Sequence, residues 1–461
     1  MLLNSPEFRV YPAAHRNHKC LAPPAPVHEL PVGENARNVQ YMLETAPIEE
    51  ASYDGNDKVI TEWFRQLQLD SEVEQKQTGL HRVLVCCGDQ LTMDRLRGLY
   101  KYRHEDFNSF DRMDYLVLSP GWFHLVMAFA LSLYKQYYGT SNSVGLLRHA
   151  FDLLQKKKMS SPASKGPFWN DLDEALRHVS EAHFRTSWCQ LTGAKTLDDL
   201  VKKRPEELHA YAGQILDRYA SMAALVELQE RMPSEKPDLV QENIIMWNKD
   251  ILPYLELTAA IKQGDVGRME DLIPVILFRF AGGGNFKYTV ELLEMLQGLH
   301  CEWPPEVRDY VRDHCWVVNK EGRRNTFLAV DQAQEHNIKD IKVTYRSFGP
   351  GATWNYLQTV SPAIPTLRAV QRHFEQQFET ITRGSKHGDV SKDLDVKTLT
   401  DHYRLAKLYS DQPGRKPNLD GSMRVADYIT SGVDALENGD TVNKWWKARH
   451  FERSTKETWD E

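Results

Sequence analysis

Between Arg82 and Thr92 the chain holds an unbroken apolar run, Val83, Leu84, Val85, Cys86 and Cys87, that ends at Gly88 and hands over to Asp89, Gln90 and Thr92. Such a run reads as a buried β-strand, because strands covered on both faces lose the alternation of half-exposed ones. Met93 to Tyr102 follows with helical spacing. A second apolar strand, Tyr115 to Leu118, ends at Ser119-Pro120-Gly121, and a long helix with Trp122, Phe123 and His124 at its start comes directly behind. Strand, helix, strand, helix is the order of a parallel or mixed α/β sheet. Functional groups of such sheets gather at the carboxyl ends of the strands, where this pattern places Asp89.

From Gly145 to about Leu299 the spacing becomes helical, with Trp169, Leu172, Leu176, Val179 and Phe184 as one stripe and polar, proline-bearing breaks at Ser160 to Pro167 and Met232 to Pro237. No fixed-period repeat is present, which disfavours a solenoid. Phe327 to Val330 is a short strand or helix lead-in before Asp331 to Lys339, and Ser361 to Pro365 opens a helix over Thr366 to Ile381. The predicted organisation is an irregular proline-rich arm (1–50), the first part of a mixed α/β core (51–138), a large all-helical insertion (139–325), the second part of the core (326–381) and a flexible tail with one or two helices (382–461).

Composition narrows the function classes. The 461 residues are 41% hydrophobic and 26% charged, an ordinary globular balance, and the net charge of −7 provides no basic footprint for non-specific nucleic-acid binding. Six cysteines are sparse for this length, and the adjacent Cys86 and Cys87 lie in the first strand, which fits a reduced intracellular compartment. The first residues contain no apolar signal region. The most apolar helical run, Phe123 to Tyr138, falls short of the ~20 residues of a membrane span.

Three places can carry chemistry. Asp89 is either a metal ligand at the strand end or the N-cap of the next helix, with Gln90 and Thr92 closing the turn. His124, at a strand-to-helix junction, is either catalytic or a buried histidine satisfied by its surroundings. Asp331, Glu335 and Lys339 recur at four-residue spacing, so they share one helix face with His336 beside them. The two carboxylates suit a hard divalent ion or an acid/base pair, and Glu335 with Lys339 equally suits an ordinary ion pair.

The stretches GDQLTMDRLRGL, SPGWFHLVMAFALSLYKQY, KGPFWNDLDEALRHVSEAHFR, LEMLQGLHCEWPPEVRDYV, VDQAQEHNIKDIKV and SPAIPTLR resemble a large, expanded fungal family catalogued only as a domain of unknown function. The resemblance runs from about Asp54 to about Gln377. More distantly, the order of Asp89 after a strand, Pro120 to His124, a helical insertion, and Asp331 to Glu335 on a helix looks like transposase-derived proteins with a ribonuclease H-like core. That similarity implies a core sheet interrupted by a helical insertion, and a carboxylate triad holding magnesium for phosphodiester cleavage. Asp89 would be its first ligand and Glu335 its last. The second acid would follow Pro120-Gly121, where this chain has Trp122, leaving Asp331 and His124 as the only substitutes nearby.

The resulting expectation is a domain derived from a mobile-element transposase, nucleic-acid related, with a degenerate site and a nuclear location. The alternative is a non-catalytic protein-interaction scaffold built on the helical region. Neither involves a membrane.

Overall fold

A computed structural model describes residues 1–140, 143–155, 169–230, 236–347, 349, 353–378, 390–417 and 424–459. The expected break at Ser160 to Pro167 and most of that at Met232 to Pro237 lie outside them. The chain packs as two units. One, here the strand unit, comprises Val27–Val126, Ala259–Gly384 and Gly432–Glu461; the other, the helical unit, comprises Met1–Pro26, Met127–Thr258 and Ser385–Ser431.

In the strand unit, helices α1 (Tyr53–Gln66) and α2 (Glu72–His81) precede strand β1 (Leu84–Gly88), helix α3 (Gln90–Tyr102) and strand β2 (Leu116–Pro120). Ser52 and Ser71 start the two helices by accepting hydrogen bonds from Gly55 N and Glu74 N, the task for which a serine before a helical run is suited. β1 and β2 pair in parallel, Leu84 opposite Leu116 and Gly88 opposite Pro120. Ile60, Phe64, Met93, Leu96, Leu99, Met113 and Tyr115 form the core on which the pair rests. Helix α4 (Trp122–Tyr137) begins here, and its residues from Met127 belong to the helical unit.

The helical unit continues with α5 (Leu147–Leu153), α6 (Trp169–Thr192), α7 (Pro205–Tyr219), α8 (Met222–Gln229) and most of α9 (Leu239–Gln263). The expected stripe is real: Leu172, Leu176 and Val179 are buried, as are Ile244, Trp247, Ile251 and Tyr254 of α9. The strand unit resumes with α10 (Val266–Gly282), α11 (Phe286–Gln297), α12 (Pro305–Tyr310), the two-residue strands β3 (Val317–Val318) and β4 (Leu328–Ala329), α13 (Val330–Ser347), α14 (Trp354–Val360) and α15 (Ile364–Gln377). Among the described residues of the last 80 or so are the helices α16 (Val390–Leu405) in the helical unit, then α17 (Tyr428–Glu437) and α18 (Thr441–Arg449). Val396, Leu399 and Tyr403 of α16 are buried, as is Trp445 of α18.

The expected mixed α/β, ribonuclease H-like core sheet interrupted by a helical insertion is therefore corrected. The protein is 66% helix and 4% strand, with one parallel pair and one separate antiparallel pair among the described residues. The two apolar runs do form adjacent parallel strands, but helices and turns take the places that further strands would fill. Beside β1 lies the turn Val311–Cys315, whose last carbonyl accepts from the Cys87 thiol at 3.3 Å. The short run at Phe327 to Val330 pairs only with Val317–Val318 before α13 begins. Among the described residues no helix is long and apolar enough to cross a membrane.

Candidate functional site

All four residues singled out from sequence lie in the strand unit, near the carboxyl end of the parallel pair. Asp89 follows β1 directly and caps α3, its Oδ1 accepting from Thr92 N at 2.8 Å. Of its two readings from sequence, the cap is visible in the geometry. Asp331, in the first turn of α13, reaches the start of α4, where Oδ1 accepts from Phe123 N and Oδ2 from His124 N, each at 3.0 Å. The same Oδ2 lies 3.0 Å from His124 Nδ1. One buried carboxylate thus serves two orphan N–H groups of a helix start and orients an imidazole. Gly121 makes this approach possible, since a Cβ there would overlap the Asp331 carboxylate. One helical turn further on, Glu335 brings Oε1 to 4.0 Å from His124 Nε2 and is 44% exposed.

His124 is held above its ordinary pKa, chiefly by the hydrogen bond to Asp331. The charges of Asp331, Asp89 and Glu335 add to this, and burial opposes it. Tyr288 is pushed up to about 12 by burial first and by the field of Asp89 next. The neighbouring thiols are inert for the same reason: burial raises Cys86 to about 12 and Cys87 well above its ordinary value. The arrangement favours a protonated imidazole among carboxylates over a nucleophile.

Where the transposase comparison calls for a second acid, Trp122 is buried and packs edge-on against Trp316, ring centroids 5.0 Å apart. Among the described residues, the groups of three His, Cys, Asp or Glu ligand atoms close enough to share an ion are His18, Cys20, Glu206 and Glu174, His178, Asp395. Neither contains Asp89, His124, Asp331 or Glu335. Both Asp331 oxygens are engaged by the α4 backbone.

The strand unit also contains a cleft of about 1370 Å³ that sequence reasoning missed, lined by parts of α3, β2, α11 and α18. Three of its arginines are matched within the wall. Arg97 Nη1 lies 2.8 Å from Glu291 Oε2, Arg449 Nη2 2.7 Å from Glu302 Oε2, and Arg453 Nη1 2.9 Å from Asp114 Oδ1. These partners stand 147 to 339 residues apart, so no local spacing announces them. The family model described as "Family of unknown function (DUF6589)" matches residues 1–387. The chain belongs to this family. That agrees with the resemblance to a domain of unknown function, and it carries no activity with it. No curated protein and no solved structure matches the chain.

Proposed function

We propose that this member of the family is a non-catalytic protein-interaction domain that takes an extended peptide segment of a partner along β2. The observation that carries this reading is the lining of the cleft by three consecutive residues, Leu116, Val117 and Leu118. A strand face presents only alternate residues; consecutive ones lining the same space point to the strand's edge. β2 has β1 on one side, and among the described residues no third strand pairs with it. On its outer edge Leu116 already donates to Met113 O and accepts from the Tyr100 hydroxyl, and Pro120 has no N–H, so Leu118 is the residue whose main chain a peptide would meet. Strand addition to an open edge is a general mode of peptide recognition, main-chain hydrogen bonds supplying affinity and flanking pockets specificity. The cleft's aromatic walls, Trp303 and Trp446 among them, suit apolar peptide side chains, and its internally paired charges disfavour capture of a free anion.

The test is selection of eight-residue peptides from a displayed library on the full chain, followed by N-methylation of each peptide bond of a selected binder. The reading expects binding to fall at the peptide bond that meets Leu118 and to weaken by at least about tenfold in Trp446→Ala. Failure to select a binder, or indifference to N-methylation, overturns it.

A second reading is favoured by the gathering of Asp89, His124, Asp331 and Glu335 at one end of the parallel pair. It is a fungal, transposase-derived nuclear domain with nucleic acid as its ligand and magnesium on Asp89 and Glu335. Magnesium- or manganese-dependent cleavage of DNA, abolished in Asp89→Ala and Glu335→Ala, would establish it. The peptide reading expects no cleavage.

A further inference from the structure

In the helical unit, Glu174 and His178 occupy positions i and i+4 of α6, so they project from the same face one turn apart. Helix α16 packs against α6 and contributes Asp395, whose Oδ2 lies 3.1 Å from His178 Nδ1. One ligand atom from each of the three side chains lies within 4.8 Å of the other two. His178 is buried at 4% exposure. We propose that Glu174, His178 and Asp395 form a binding site for one divalent transition-metal ion, zinc being the best match, that joins α6 to α16.

The donor set argues for the ion class. One imidazole nitrogen and two carboxylate oxygens are borderline ligands that suit zinc, cobalt or manganese; magnesium prefers oxygen alone and keeps most of its water. Zinc–ligand lengths of about 2.0–2.2 Å put neighbouring donors roughly 3–4 Å apart in a tetrahedron, a spacing that small side-chain rotations reach from the one observed. Ligands at i and i+4 of one helix completed by a residue from elsewhere are also a recurrent way of building such centres. Three protein ligands leave the fourth position to water, on the side where Glu174 reaches the surface. The competing account is a simple His178–Asp395 hydrogen bond with Glu174 as a surface acid. Metal titration separates the two accounts.

The experiment uses the full chain, stripped with chelator and titrated with zinc by calorimetry and with cobalt by visible absorption. The proposal expects one equivalent bound, a cobalt spectrum of low-symmetry four- or five-coordination, and a zinc-dependent rise in Tm. Because Glu174 is at the rim, Glu174→Gln should fold and bind at least about tenfold more weakly; Asp395→Asn, which removes the charge beside buried His178, should also bind more weakly and in addition lower the metal-free Tm. Absence of equimolar binding overturns the proposal. So does wild-type binding by Glu174→Gln, or loss of binding in Cys20→Ser instead, which would seat the ion at His18, Cys20 and Glu206.

Discussion

In the strand unit, His124 sits at a helix start among three carboxylates and is one quarter exposed. In the helical unit, His183 is fully buried, stacked on Tyr403 with ring centroids 4.3 Å apart and with Nδ1 3.1 Å from the Tyr409 hydroxyl. The first is raised above its ordinary pKa by its hydrogen bond to Asp331; burial alone drives the second down to about 3. Both side chains hold elements together, but one does so best as a cation and the other only as a neutral ring. A histidine on an otherwise apolar stretch therefore does not announce its role. What surrounds it, from distant parts of the chain, decides its charge.

That contrast can be broken most strongly at Asp331. Asp331→Ala strands two backbone N–H groups and the His124 imidazole, and should cost about 3 kcal/mol of stability by denaturant unfolding. A loss below about 1 kcal/mol would mean that the α4 start is satisfied in some other way. Gly121→Ala acts on the same contact from the opposite side by pushing a methyl group into the carboxylate. About 2 kcal/mol is expected from overpacking, and double mutation with Asp331→Ala should be clearly less than additive.

The pH dependence separates the two histidines by sign. For His124, whose folded pKa is raised, the native state binds the extra proton. Its contribution is fully present below about 6.5 and is lost as pH rises through the raised value. For His183, whose folded pKa is lowered, the unfolded state binds the extra proton, so stability falls as pH drops from about 6.5 toward about 3. Each limb has a limiting slope of about 1.4 kcal/mol per pH unit per proton. Stability measured across pH should lose its acid limb in His183→Phe and its upper limb in His124→Asn; unchanged slopes in both would refute the contrast. The smallest effect belongs to Glu335→Gln. At 44% exposure and 4.0 Å from His124, it should change stability by under about 0.5 kcal/mol, visible chiefly as a downward shift of the His124 titration by NMR.

The parts of this fold that could be read in advance were those coded by neighbours in sequence. The run Val83 to Cys87 and the run ending at Ser119 became the paired strands, and Asp89 with Thr92 became a cap because a cap needs only a carboxylate and the next turn. What could not be read was how many strands the sheet would have. A five-residue apolar run looks the same whether its further neighbours are strands or the turn at Val311–Cys315. The site was legible as a collection: Asp331 and His124 stood out on separate helices. Their pairing, with Asp331 spending both oxygens on the α4 backbone, depends on an approach across some 200 residues that Gly121 permits and no local pattern encodes. The cleft beside β2 and the meeting of Asp395 with His178 were hidden for the same reason.

Each unit is assembled from three stretches of chain that alternate along the sequence, and this sets a timetable for synthesis. The part of α6 that meets α16, His178 and His183 among it, must wait for α16 to leave the ribosome. That is a delay of about 200 residues, or on the order of ten to forty seconds at ordinary translation speeds. During that interval this part of α6 lacks one of its native neighbours, so the nascent chain is a natural client for a chaperone. Neither unit can be cut out as a continuous fragment, and a chain that stops before Ser431 leaves both unfinished at once.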